Sequence, residues 1–526
     1  MSPLVAHSEG LLKLGRKALG DRAVDALLRS TFFAHFCGGE DEAGAARTVE
    51  RLAASGVGSI LDYAAEADLP VGEGEAAAAG KEEAPRVGEV EAAPPGQAVG
   101  RVFPYTSSAA CDTHAAAFRT AIAAAASGPR AQGALPGFAA LKVTALGDPR
   151  LLARTSTALR AIQALFATFD ADGDGKVSRA EFAETYARLF SDGTPTRLDD
   201  LFHYLDPDGV GSVDLLTWSR RVRLVDVPAI VRACRAPGPL ASAALTPAEL
   251  EGLQAMLDRL RGLADAAASA GVRLFVDAEQ AAVQPAIAHA ARSLQREFNA
   301  PPTGPGYPVI FTTVQAYLKS ARGDLALDLR RSTAEGWAWA GKIVRGAYLE
   351  HERAVSAAAS TPCPVWESRP ATDASFDACA GDAIDAALAG STGPGIAGPE
   401  VMLATHNARS VAAAVARVVE AGRAPPAAPT PPPPAPLPPV YFGQLLGMGD
   451  ALTFNLAAAG WGAFKYVPYG RVGETSAYLA RRARENAGAL GGAGSDVRCV
   501  ERELARRAGA LFVPTRVAQR TGGAWR

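Results

Sequence analysis

The chain has 526 residues with 53 basic and 55 acidic side chains, and its net charge of −2 supplies no broad positive field, which excludes polyanion binding as its role. Six cysteines (Cys37, Cys111, Cys234, Cys363, Cys379, Cys499) are scattered without a CxxC pair, which excludes a disulfide scaffold and suits reduced thiols. No apolar run approaches the ~18 residues needed to cross a bilayer, so a soluble or peripheral protein is expected, built as one large domain plus an insert.

In chain order, Met1 to Gly20 is mildly basic but carries Glu9 and reads as a poor transit peptide. Helical apolar spacing from Leu11 to Ala64, with Asp21 and Asp41 as caps, predicts a helical arm over residues 1–65. Residues 66–101 are Gly, Ala, Pro and Glu with almost no large apolar side chains, and a disordered linker is predicted. Residues 102–154 hold a helix and the first strand of a barrel, 155–233 form an insert, and 234–526 complete the barrel. Within the last region, Ala424 to Pro439 is a polyproline-like loop between two regular elements.

Short apolar runs alternate with helical stretches: Leu141 to Leu146, Leu274 to Ala278, Val309 to Val314, Ile343 to Val344, Val401 to Ala404, Val440 to Leu446 and Phe464 to Val467. Alternation of this kind predicts parallel βα units, and so many in one domain indicate an α/β fold of the (β/α)8, or TIM, barrel type, with an open doubly wound sheet as the alternative. Each run ends in polar or ionisable residues: Lys142 and Thr144, Asp277 and Glu279, Gln315, Arg345 and Tyr348, Thr405-His406-Asn407, Gln444, and Tyr466. The C-terminal rim of such a barrel is where active sites are built.

The insert carries Asp170-Ala-Asp172-Gly-Asp174-Gly-Lys176-Val-Ser-Arg-Ala-Glu181, which matches the twelve-residue EF-hand loop at every ligand position, with Lys176 contributing its carbonyl. A second copy begins at Asp206, but Val210 and Thr217 replace two of its ligands. Ca2+ is therefore expected at Asp170, Asp172, Asp174, Lys176 and Glu181, with the second loop as a brace.

Two other motifs are discarded. Gly393 to Gly398 spells GxGxxG but precedes a strand and meets Pro399. Gly336 to Lys342 spells GxxxxGK, yet Ile343 stands where a hydroxyl must ligate Mg2+, and two tryptophans crowd the turn. The seven histidines show no zinc spacing, and His289 reads as a packing or surface residue.

The stretch Lys465-Tyr466-Val467-Pro468-Tyr469-Gly470 breaks at Pro468 and Gly470 and leads to a helix with Tyr478-Leu-Ala-Arg481-Arg482-Ala-Arg-Glu485-Asn. Two adjacent guanidiniums are forked donors suited to a carboxylate, while Arg481 with Glu485 at i, i+4 also fits a solvated helix face.

Taken together, RLFVDAEQ from Arg273, FTTVQAYLK from Phe311, GKIVRGAYLEHERA from Gly341, LATHNARSV from Leu403, YFGQLLGMGD from Tyr441 and FKYVPYG through YLARRAREN from Phe464 resemble the proline dehydrogenase family. RSTFFAHFCGGEDE from Arg29 is similar to its eukaryotic members. The resemblance implies a distorted (β/α)8 barrel that oxidises L-proline to Δ1-pyrroline-5-carboxylate with FAD, at the mitochondrial inner membrane or matrix, passing electrons to a quinone. It also implies roles for individual residues. Arg481, Arg482 and Lys142 would hold the proline carboxylate; Asp277 would line the site, with Tyr348, Leu446 and Tyr466 around the ring. Gln315, Lys342, Val344, Thr405, His406, Asn407, Gln444 and Glu485 would contact FAD, Lys342 standing where bacterial members have arginine. Tyr466 replaces the serine of relatives that act on 4-hydroxyproline, so proline is the expected substrate. The alternatives are a hydroxyproline dehydrogenase and a non-catalytic Ca2+-binding barrel scaffold.

Overall fold

The computed structural model describes residues 8–64, 67–70, 99–103, 105–127, 135–236, 238–301, 304–390, 397–423, 425, 438–475, 478–479 and 481–482. Eight parallel strands close into a barrel: β1 (Gly58–Tyr63), β4 (Gly137–Leu141), β7 (Val272–Val276), β8 (Ile310–Gln315), β9 (Ala340–Val344), β10 (Glu400–Ala404), β11 (Val440–Leu445) and β12 (Ala463–Tyr469). β1 closes the ring by pairing with both β12 and β4, in register Ile60 with Tyr466 and with Phe138. Helices follow the strands, as the alternation in the sequence requires. The chain divides into two compact units, one of Leu27–Ala477, which contains the barrel, and one of Met1–Ala26 with Tyr478–Arg526.

The expected barrel stands, with three corrections. The N-terminal region is not helical to residue 65, because Gly58–Tyr63 is a barrel strand and the helix before it, Glu42–Ala53, ends earlier. The first run, Leu141 to Leu146, is strand only at Leu141: the strand lies before it, over Gly137–Leu141, and beyond Lys142 the chain turns into a 3-10 helix, Val143–Ala145. The predicted linker has structured ends, since β2 (Ala67–Pro70) pairs antiparallel with β3 (Val99–Val102). Residues 71–98 and almost all of the proline-rich 424–439 loop lie outside the described residues.

The insert does not begin as a separate module. One helix, Pro149–Phe169, follows β4 as a barrel helix and runs straight to Asp170, the start of the first acidic loop. Two helix–loop–helix units follow, and their loops join through β5 (Lys176–Ser178) and β6 (Ser212–Asp214), paired antiparallel. Phe166, Phe169, Phe182, Tyr186 and Trp218 share one buried cluster with Leu152, Ile287 and Leu294 of the barrel helices. The buried Trp218 indole donates to the Ile162 carbonyl at 3.2 Å. An apolar core common to both parts fixes the insert against the barrel.

Inside the barrel, Ile60, Phe138, Ala140, Phe275, Phe311, Ala340, Met402, Tyr441 and Phe464 form a cluster to which every strand contributes. Phe138 and Phe275 stack at 4.8 Å and 9°. Below them the Arg273 guanidinium donates to Glu400 at 2.7 Å and to the Pro308 carbonyl, and lies against the Tyr307 and Tyr441 rings. Burial pushes the Glu400 carboxyl and the Tyr441 phenol above their ordinary ranges. This aromatic and ionic floor closes the lower barrel, so a ligand can enter only from the C-terminal mouth.

Of the other expectations, Gly336 is a left-handed helix C-cap before β9 and Trp337 and Trp339 are buried, the reverse of the strand-to-helix order a phosphate loop needs. Cys37, Cys111, Cys234, Cys363 and Cys379 are free thiols, and Cys499 lies outside the described residues. No described helix is long and apolar enough to cross a membrane.

Candidate active site

Successive residues of a strand face opposite sides, so counting by two from the interior aromatic layer identifies what lines the mouth. From Phe138 the count reaches Lys142, from Phe275 Asp277, from Phe311 Gln315, from Ala340 Lys342 and Val344, and from Phe464 Tyr466. Six of the residues expected to meet substrate or cofactor therefore share the inner face. Thr405 and Gln444 fall on the opposite parity.

At the centre, Lys342 Nζ donates to Asp277 Oδ1 at 2.5 Å, and the Tyr466 hydroxyl donates to Asp277 Oδ2 at 2.9 Å. The ammonium also sits 4.8 Å from the Phe275 ring centre and 5.4 Å from that of Tyr466. Lys342 and Asp277 are 5% and 7% exposed. A buried opposite pair with ring faces around the cation is held in one geometry, because each charge is costly to leave without its partner.

Beside it, the fully buried Glu279 accepts from the Thr144 hydroxyl at 2.7 Å and the Thr144 amide at 3.1 Å. Its backbone carbonyl accepts from Gln315 Nε2 at 2.8 Å. The ends of β4, β7 and β8 are thereby tied together.

On the far side, Arg345 donates to Asp373 at 2.6 Å, Thr405 Oγ1 at 2.7 Å and Ser410 Oγ at 3.0 Å, with its guanidinium over the Phe376 ring. Thr405 Oγ1 also receives the Asn407 amide at 3.0 Å. Asn407 Oδ1 caps the helix Ala408–Glu420 through the amides of Arg409 and Ser410, so it shapes a helix N-terminus at the mouth. The exposed His406 accepts from the Leu445 amide at 3.1 Å. Gln444 is buried between the Thr405 carbonyl and Thr453, which makes it a brace behind the strand.

Tyr348 is buried against Tyr317 and Val365. The turn before it needs Gly346, whose φ is 131° and whose added Cβ would lie 2.3 Å from the Tyr317 ring. Leu446 packs with Val49, Leu52, Val467 and Tyr469 in the cluster under the helix Glu42–Ala53, so the structure gives it a packing environment. The next turn is tied down by Lys465, whose ammonium reaches the Met448 carbonyl at 2.6 Å and Asp450 at 2.7 Å. Burial lowers the pKa of Lys465 while Asp450 opposes the shift.

In the other unit, Tyr478, Leu479, Arg481 and Arg482 are helical. Both arginines are buried, with guanidiniums 5.9 and 5.1 Å from the Tyr478 ring centre. Glu485 lies outside the described residues.

In the first acidic loop the carboxylates of Asp170, Asp172 and Asp174 converge within 4.8 Å of one another, and Asp170 Oδ1 is buried without a hydrogen-bond partner. Glu181 accepts from the amides of Ser178, Ala171 and Asp172, and the Ser178 amide and hydroxyl hold its pKa below the usual carboxylate range. Lys176 donates its amide to Asp174 at 2.8 Å, with its side chain in solvent. In the second loop Asp206 still caps Val210 and Gly211, but Val210 is 74% exposed and offers no ligand.

Residues not assigned from sequence also build the mouth. Asp62, the residue before the end of β1, has the inner parity and is 5% exposed, and burial together with Asp62 pushes the Cys37 thiol up to about 12. Arg345 and Glu279 stood out as rim residues; the signal for Asp62 was the pair Gly56 and Gly58 just before the short apolar run Ile60-Leu61.

The sequence matches the family described as Proline dehydrogenase over residues 45–493. It is 34% identical over 535 residues to human "Proline dehydrogenase 1, mitochondrial", covering 96% of this chain and 84% of that protein. The Caenorhabditis elegans protein of the same name is 30% identical over the same share of this chain and 83% of its own length. Bovine "Hydroxyproline dehydrogenase" is 36% identical over 257 residues, 48% of this chain and 51% of that protein. Among solved structures, proline utilization A from Bdellovibrio bacteriovorus, inactivated by N-propargylglycine, shares the fold with a TM-score of 0.52 at 16% identity, covering 88% of this chain. This chain spans 33% of that bacterial chain. By the extent of the family match and by relatives of which it covers more than four fifths, the chain belongs to the proline dehydrogenase family of enzymes.

Proposed function

We propose that the protein oxidises L-proline to Δ1-pyrroline-5-carboxylate with FAD as cofactor, in the mitochondrion, passing electrons to a quinone while associated peripherally with the membrane. The observation that carries this reading is the buried Lys342–Asp277 pair with the half-buried Tyr466 on the inner face of a barrel closed at its floor. The naming of the human and nematode relatives as mitochondrial supports the compartment.

The donor set fits a flavin. Lys342 has three N–H donors and commits one to Asp277, while Gln315 uses its Nε2 on Glu279 and keeps its carbonyl oxygen for a ring N–H. A cation, a carboxamide and the helix N-terminus shaped by Asn407 suit a polar heterocycle carrying an anionic tail. Lys342, Gln315 and Val344 would hold the ring, and Thr405, His406 and Asn407 the remainder, with Gln444 bracing Thr405 and Glu485 as a further contact. When bound, FAD supplies the acceptor for the hydride lost from the ring carbon beside the proline nitrogen.

The protein's own part is positioning and selection. Arg481, Arg482 and Lys142 grip the carboxylate, the forked guanidiniums fixing its orientation. Tyr348 and Tyr466 bound the substrate ring, and Leu446 packs behind. Tyr466, held by Asp277, sets a phenol where a ring hydroxyl would crowd it, which favours proline over 4-hydroxyproline. The Asp170–Glu181 loop binds Ca2+ through Asp170, Asp172, Asp174, the Lys176 carbonyl and Glu181, and its converging carboxylates support this. The experiment is turnover: FAD-loaded protein should reduce a soluble quinone with L-proline, and protein that retains FAD but turns over no proline refutes the reading.

A further inference from the structure

Glu279 is 0% exposed, two residues beyond Asp277, and makes hydrogen bonds with its side chain and backbone at once. Its carboxylate takes both donors of Thr144, the amide at 3.1 Å and the hydroxyl at 2.7 Å. Thr144 Oγ1 in turn accepts the Phe103 amide at 3.4 Å, which commits the hydroxyl proton to Glu279. Thr144 lies in the 3-10 turn directly after Lys142, and that turn is closed by the Ala145 amide on the Lys142 carbonyl at 3.2 Å. On its other side, the Glu279 carbonyl receives Gln315 Nε2, and the Glu279 amide donates to Gln284 at 2.9 Å.

A neutral side chain could close one turn without the desolvation cost of a buried carboxylate. Glu279 meets the two Thr144 donors with two separate oxygens, whereas a carboxamide in the same place offers one oxygen and sets its NH2 against the other donor. We propose that Glu279 is a positioning residue, fixing Lys142 through Thr144 and setting the Gln315 carboxamide through its own carbonyl. This rests on the proline-oxidation reading above. Lys142 then faces the mouth with a fixed backbone, and Gln315 presents oxygen, not nitrogen, toward the ligand.

The test uses FAD-loaded full-length protein. In Glu279→Gln the KM for L-proline should rise by at least about tenfold with a smaller change in kcat, as lost substrate positioning requires. The visible absorption maximum of the bound FAD should also shift as Gln315 turns. Thr144→Ser, which keeps both donors, should match the parent, and Thr144→Val, which removes one, should raise KM by about three- to tenfold. A Glu279→Gln protein that melts earlier but keeps KM within twofold and an unshifted FAD spectrum overturns the proposal. If Glu279→Gln does not fold, Thr144→Val decides, and an unchanged KM overturns it likewise. A parent protein inactive on L-proline removes the functional reading itself, an outcome distinct from a silent variant of an active parent.

Discussion

Replacing Lys342 by Met removes the cation from a buried pair and leaves the Asp277 carboxylate, 7% exposed and also accepting from the Tyr466 hydroxyl, without that partner. Stranding one member of such a pair costs ~3–5 kcal/mol, whereas replacing both members by neutral groups of similar shape can be nearly neutral. Asp277→Asn alone should cost a similar amount by leaving the ammonium buried under the Phe275 and Tyr466 rings. The double variant should recover at least half of the summed loss, so a double-mutant cycle reports a coupling of ~3 kcal/mol or more. With an unfolding entropy of ~2.1 cal/mol/K per residue, a chain of this length loses about 1 °C of Tm per kcal/mol, or roughly 3–5 °C for each single variant. Thermal unfolding followed by circular dichroism, in parallel on all four proteins, reads these values. Single variants within about 1 °C of the parent, or strictly additive losses, would refute a buried, mutually dependent pair.

Four further outcomes follow from particular groups. Burial first, then Arg292, Arg296 and Arg331, lowers His289 from 6.5 to about 4, so the folded state holds it neutral where the unfolded chain takes up a proton. The stability this contributes is complete above about pH 6.5 and is lost as pH falls toward about 4, at up to ~1.4 kcal/mol per pH unit, and His289→Gln should flatten that part of a stability–pH profile. Arg482→Met should raise the KM for proline at least tenfold, the ~1.4 kcal/mol of one charge-assisted contact, and an unaltered KM would take Arg482 out of the carboxylate site. Tyr466→Ser should improve the kcat/KM ratio for 4-hydroxyproline over proline, and an unchanged ratio would reject steric exclusion by the phenol. Calorimetric titration with Ca2+ should give heat that Asp170→Ala abolishes; absent heat, or heat indifferent to Asp170, would reject the loop as a site.

The barrel was legible because apolar runs bounded by helices are what parallel strands buried on both faces require. One strand was hidden. Gly58–Tyr63 follows the helix Glu42–Ala53 with little separation, and Val57, Ile60, Leu61 and Ala64 also fit a helical repeat, so Gly56 and Gly58 are the signal that breaks it from that helix. The misplacement of β4 has a tertiary cause: Leu141 to Leu146 is apolar enough for a strand, but Glu279, distant in sequence, takes the Thr144 amide and supports a 3-10 turn in place of the next ladder bond. The inner-face set Lys142, Asp277, Gln315, Lys342 and Tyr466 followed from strand ends and family motifs together. Leu446 and Gln444 sit in the same motif, and the motif alone could not separate mouth from packing: Gln444 braces Thr405 and Thr453, and Leu446 joins the apolar layer under the helix Glu42–Ala53. Asn407 was assigned to a ligand, and its side chain caps a helix.

The central claim is that the mouth brings a flavin and L-proline together so that two electrons pass between them. An anaerobic titration of the FAD-loaded protein with L-proline, followed by visible absorption, tests it most directly. Stepwise bleaching of the oxidised flavin band with release of Δ1-pyrroline-5-carboxylate in equal amount is the result this account predicts. A band that persists at saturating L-proline, in protein whose FAD a chemical reductant does bleach, would contradict it.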